Sequence, residues 1–80
     1  MIMPERRRAL RMRLADYAAY LRERGTMSRA DMARIGEIST AHASSDMRAL
    51  IEDYPDLGIV YDTNRKIFVA KGVHIFHHPV

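Results

Sequence analysis

Between Thr40 and Arg48 the run TAHASSDMR brings Thr40, His42, Ser44, Ser45 and Arg48 together, with Ser39 just ahead of them. Their hydroxyl, imidazole and guanidinium groups match base-edge donors and acceptors. On one helix face they suit readout of a DNA major groove, where arginine favours guanine. Arg65 and Lys66 follow in a polar loop, and cations in such a loop suit the phosphate backbone beside a docked helix. Arg6, Arg7, Arg8 and Arg11 crowd the amino terminus. The positive end of a helix dipole disfavours cations, so these arginines are candidates for secondary phosphate contacts.

Other chemistries find less support. Ser, His and Asp all occur, but His42, Ser44 and Asp46 alternate along one helix instead of converging on a pocket, so no catalytic residue and no small-molecule substrate is expected. His74, His77 and His78 lack the neighbouring carboxylate or cysteine of a zinc site. No metal or other cofactor is expected, and residues 73–80 read as a loosely packed tail.

The elements that must position these residues follow from hydrophobic spacing. Leu10, Leu14, Tyr17 and Leu21 recur at intervals of four, three and four, which predicts a first helix beginning near Pro4 and ending at Gly25. Thr26, Met27 and Ser28 interrupt the pattern. Ser28, with Asp31 three residues on, predicts the cap of a short second helix carrying Met32, Ala33 and Ile35, with Gly36 at its end. Ser39 or Thr40 predicts the start of a third helix whose apolar positions are Ala43, Met47, Leu50, Ile51 and Tyr54, stopped by Pro55. Ile59 to Tyr61 and Ile67 to Val69 are β-prone runs separated by Asp62-Thr63-Asn64-Arg65-Lys66, a hairpin in which Asn64 suits the left-handed position. Two strands are marginal alone and must lean on the helices. The fold class is therefore α+β: a small winged helix-turn-helix over residues 1–72, three helices followed by a two-stranded hairpin wing.

Composition bounds the rest. Eighty residues hold one modest core. The absence of cysteine rules out disulfides and thiolate metal cages and suits a reducing cytoplasm. No apolar run approaches the roughly 20 residues that span a bilayer, so no membrane partner is expected. A net charge of +3 and a pI near 9.7 permit a polyanionic partner without requiring one. Asp46, Glu52, Asp53 and Asp56 make the middle acidic. Where Glu52, Asp53 and Asp56 point discriminates the two partners: away from the arginines favours DNA, whereas sharing the polar face of the third helix favours a protein, because acids facing a groove repel phosphate.

The residues Ile38-Ser39, Ala43-Ser44, Asp46-Met47, Pro55, Tyr61-Asp62, Lys66 and Phe68 resemble the amino-terminal winged-helix domain of WYL-domain bacterial transcriptional repressors associated with anti-phage defence loci. The pattern there is approximately I-S-x-x-Q-A-S-x-D-L, a proline, then Y-D-x-x-x-K-x-Y. The resemblance implies that Ser39, His42, Ser44 and Ser45 sit at the DNA-facing start of the recognition helix and that Asp46 orients neighbouring groups. His42 stands where the pattern has glutamine, so base preference does not transfer. The WYL domain has no counterpart in these residues, which implies a stand-alone DNA reader or a piece of a longer regulator. The expectation is a sequence-specific regulator of double-stranded DNA, a repressor of bacterial or phage origin, acting as a homodimer on two half-sites. The alternatives are a winged-helix protein-docking module and a small phage assembly protein.

Overall fold

The computed structural model describes the backbone of residues 3–73 and the side chains of residues 10–73. The histidine-containing tail expected over residues 73–80 lies, apart from Val73, outside the described residues, as do the side chains of Arg6, Arg7 and Arg8.

Helix α1 spans Met3–Arg24. Its Leu14, Tyr17, Ala18 and Leu21 are buried and Leu10 packs partly against them, as the spacing requires. Gly25 ends it with φ 83°, donating its N–H to the Leu21 carbonyl at 2.7 Å. Thr26–Met27 then form a two-residue strand, β1, which hydrophobic periodicity does not reveal because so short a strand exists only through its partner. Helix α2, Arg29–Gly36, opens with a reciprocal cap: Ser28 Oγ accepts the Asp31 N–H and the Asp31 carboxylate accepts the Ser28 N–H.

The end of α2 divides two tasks between neighbours. Glu37 takes the left-handed conformation, φ 57°, although glycine is the better residue there. Gly36 is needed for close approach instead. A Cβ there would collide with the Tyr17 hydroxyl and come within 2.9 Å of Arg13 Cδ.

Helix α3 spans Thr40–Asp53 with Ser39 as its N-cap, the Ser39 Oγ accepting the His42 N–H at 3.0 Å. Its buried positions are Ala43, Asp46, Met47 and Leu50. Ile51, expected on the apolar face, is 45 % exposed, because the buried stripe turns through Asp46 and leaves Ile51 on its outer margin. Pro55 stops α3 and starts a single 3-10 turn, Pro55–Leu57, that buries Leu57.

The wing strands are β2, Ile59–Asp62, and β3, Ile67–Ala70. They pair antiparallel with Tyr61 opposite Phe68, and β1 adds to the far side of β3 with Met27 opposite Phe68. The hairpin is thus part of a three-stranded sheet ordered β1-β3-β2, which supplies the support that two strands lack. Met27, Phe68 and Ala70 are buried on its core side. In the loop the left-handed residue is Lys66, φ 59°, and not Asn64. The reason is Asp62, whose Oδ1 accepts the N–H groups of both Asn64 and Arg65 and winds the loop so that the reversal falls one step before β3. The order of elements, with the strand between the first two helices and the hairpin after the third, is that of a small winged helix. Among the described residues no helix is long and apolar enough to cross a membrane.

The neighbours at the end of α2 respond in opposite directions to substitution. Gly36→Ala lowers stability by about 1–3 kcal/mol through overpacking against Tyr17. Glu37→Gly raises it by about 0.5–1 kcal/mol by relieving the left-handed backbone. Urea unfolding of both variants beside the parent protein checks the two signs.

Candidate nucleic-acid interface

The first half of α3 presents a face that is polar and small. Thr40, Ala41, Ser44, Ser45 and Arg48 are all exposed, and the first turn holds no acid. At about 100° per residue, Ala41, Ser45 and Arg48 point almost directly away from the buried stripe, with Thr40 and Ser44 on one flank and His42 on the other. The candidate residues of α3 are therefore brought onto one open surface. Ser39 stands at its edge as the cap, its hydroxyl hydrogen still available for donation.

The acids of this region separate. Asp56 lies on the turn after α3, 3.7 Å from Arg22 Nη2. Asp53 borders an open groove of about 420 Å³ together with Arg11, Leu14 and Tyr54, on the α1 side. Glu52 alone follows Arg48 on the outer face, one turn on and about 40° around the helix. The outward surface is thus free of acid in the half from Thr40 to Arg48 and acidic beyond it.

Asp46 is the one acid within that first half, and it is turned inward. Its side chain is only 2 % exposed. Arg13 Nε and Nη2 donate to its two oxygens at 2.7 and 2.9 Å, and the Tyr17 hydroxyl donates at 2.6 Å. Both partners come from α1, so three strong hydrogen bonds fasten α3 to α1 across the core. Burial by itself would raise the Asp46 carboxyl, but the bonds from Arg13 and Tyr17 outweigh it and hold the group below the usual carboxylate range. The Tyr17 phenol is pushed strongly upward, first by burial and then by its bond to the carboxylate. The Arg13 guanidinium is raised by its hydrogen bond to Asp46. His42 Nε2 lies 3.5 Å from Asp46 Oδ1 on the half-exposed side, so two of the three alternating residues do approach one another, while Ser44 faces away.

The sequence signal for this clasp was present in part. Tyr17 belongs to the apolar stripe of α1, and Arg13 precedes it by one turn. Asp46, however, looks like one surface acid among several until the phase of α3 is known.

On the wing, Arg65 and Lys66 are both exposed. Arg65 is not an unconstrained cation: its Nε donates to Asp62 Oδ2 at 3.0 Å, which ties it to the loop it belongs to. Arg11 is exposed on α1, beside the groove near Asp53. One cation absent from the sequence reading joins them. Arg29, the first residue of α2, rests its guanidinium over Tyr61 and Phe68 of the hairpin.

The clasp gives a graded prediction. Asp46→Ala leaves Arg13 and Tyr17 without their acceptor and costs about 3–5 kcal/mol, whereas Tyr17→Phe removes one hydrogen bond to a charged group and costs about 1.5–3 kcal/mol. Because the folded carboxyl titrates below its unfolded value of about 3.9, its contribution is complete above that pH and is lost as pH falls through the folded value. Acid titrations followed by circular dichroism therefore show a shallower loss of stability for Asp46→Asn than for the parent below about pH 4. In comparisons with known proteins, the chain matches no family model and no curated protein.

Proposed function

We propose that the protein is a sequence-specific regulator that binds double-stranded DNA, with the first half of α3 in the major groove and the wing on the backbone. The observation that carries this reading is the exposed first half of the outer face of α3, free of acid and carrying Thr40, Ser44, Ser45 and Arg48, in a winged-helix frame whose hairpin loop carries Arg65 and Lys66. In helix-turn-helix docking the amino-terminal part of the second helix of the motif meets the bases, and that is the half of α3 free of acid. Glu52 then lies toward the end that leaves the groove. The resemblance to the amino-terminal domain of the WYL-domain repressors supports a repressor role in a bacterial or phage setting, acting in the cytoplasm.

One module of this size buries a limited DNA surface, so useful specificity calls for a homodimer on two half-sites. Arg65, Lys66, Arg11 and the amino-terminal arginines serve as phosphate contacts, each phosphate neutralised adding about 0.9 to the salt dependence. A second reading, docking of a protein partner, draws on Glu52 sharing the outer face with Arg48 and on the exposure of Ile51 beside it.

Selection of bound duplexes from a random pool, followed by anisotropy on the enriched sequence, tests the proposal. Arg48→Ala is expected to cost about 1–3 kcal/mol on that sequence and to relax its preference at one position. Failure to enrich any sequence sets aside specific recognition, and unchanged binding by Arg48→Ala removes α3 as the reader.

A further inference from the structure

Half of the arginines with described side chains already have an anion. Among the described residues Arg13, Arg22, Arg34 and Arg65 each lie within 4 Å of an aspartate. Arg11, Arg24, Arg29 and Arg48 have no such partner there, and of these Arg29 alone is held against the rings of the wing strands. The acids of its own helix and of the wing loop are committed elsewhere: the Asp31 carboxylate holds the Ser28 N–H and the Arg34 guanidinium, and the Asp62 carboxylate holds the wing loop and Arg65.

Arg29 is nevertheless held in place. Its guanidinium carbon is 5.7 Å from the ring centre of Tyr61 and 5.9 Å from that of Phe68, and the two rings stand 4.9 Å apart as a cross-strand pair. An aromatic face attracts a guanidinium through its quadrupole but accepts none of its hydrogen bonds conventionally, so the N–H edge stays available. The backbone restricts it further. Arg29 follows the cap Ser28 and lies two residues beyond Met27, which is fixed opposite Phe68 in the β1-β3 pairing. Tyr61 immediately precedes Asp62, from which the wing loop springs. Arg29 is thus exposed, its guanidinium set against two rings where α2 meets the base of the wing.

We infer that Arg29 binds a backbone phosphodiester of duplex DNA at the junction of α2 and the wing. The inference rests on the DNA-binding reading above. Arginine suits the task because its planar fork donates two parallel bonds to phosphate oxygens, and the contact with the two rings places the group before binding. A phosphate contact positions the protein without reading sequence, so its loss weakens all duplexes alike.

The test is anisotropy of the full chain with the selected duplex and with an unrelated mixed-sequence duplex, across about 50–200 mM salt. Arg29→Ala is expected to weaken both about tenfold at the low end and to reduce the logarithmic salt slope by about 0.9. Arg29→Lys retains the charge but not the planar fork, so it restores the slope while recovering only part of the affinity. Thermal melts run alongside separate a wing disturbed by the substitution from a lost contact. If Arg29→Ala leaves both affinities and the slope unchanged while Arg48→Ala weakens the selected duplex, the phosphate role is overturned and the DNA reading stands. A loss in Arg29→Ala with an unchanged slope also overturns it, assigning the residue to packing alone. If the parent protein binds neither duplex at low salt, the DNA reading fails and this inference fails with it.

Discussion

The carboxylate of Asp46, buried between α3 and α1 and bonded to Arg13 and Tyr17, is the constraint on which the exposed surface of α3 depends. A charge at this depth is costly unless all its acceptor capacity is used. Here the use is directional. A bidentate guanidinium and a phenol, both on one face of α1, leave one rotation of α3 in which the carboxylate is satisfied. That rotation turns Ala43, Met47 and Leu50 inward and sends Ser44, Ser45 and Arg48 outward. Hydrophobic burial alone would specify this phase less sharply, since Ile51 at the edge of the stripe offers a competing apolar position. The neighbouring Gly36 belongs to the same arrangement, because any side chain there would occupy the space of the Tyr17 hydroxyl.

The second support is the sheet. By pairing with β3, the two residues of β1 join the end of α1 and the start of α2 to the wing. The hairpin is then not an appendage but a layer continuous with the core through Met27 and Phe68. Arg29 on its aromatic pair extends that continuity to the outer rim. On the proposed reading, the helix that meets bases and the loop that meets phosphate are held in one rigid frame, by an ionic clasp on one side and strand pairing on the other.

Much of this was legible in the residues, for identifiable reasons. Leu10, Leu14, Tyr17 and Leu21 are long and regularly spaced, Ser28 with Asp31 is a local capping signal, and Pro55 stops a helix by its own covalent geometry; each acts within a few residues of itself. What stayed hidden depends on distant partners. β1 is a strand only because β3 lies beside it, Lys66 is left-handed because Asp62 winds the loop, and Asp46 is buried only because Arg13 and Tyr17 lie 33 and 29 residues away. The polar run from Thr40 to Arg48 is visible as local pattern, whereas the place of Arg29 is not, since it depends on rings more than thirty residues along the chain.

The function proposed for the protein requires that the acid-free half of α3 and the wing form one DNA-binding face. The direct measurement is an amide NMR titration of isotope-labelled protein with a mixed-sequence duplex, at low salt and again near physiological salt. Shifts concentrated at Thr40 to Arg48, Arg29, Arg65 and Lys66, fading as salt rises, are the predicted result. An absence of shifts at low salt, or shifts centred on Ile51 and Glu52 and indifferent to salt, would contradict it and turn attention to a protein partner.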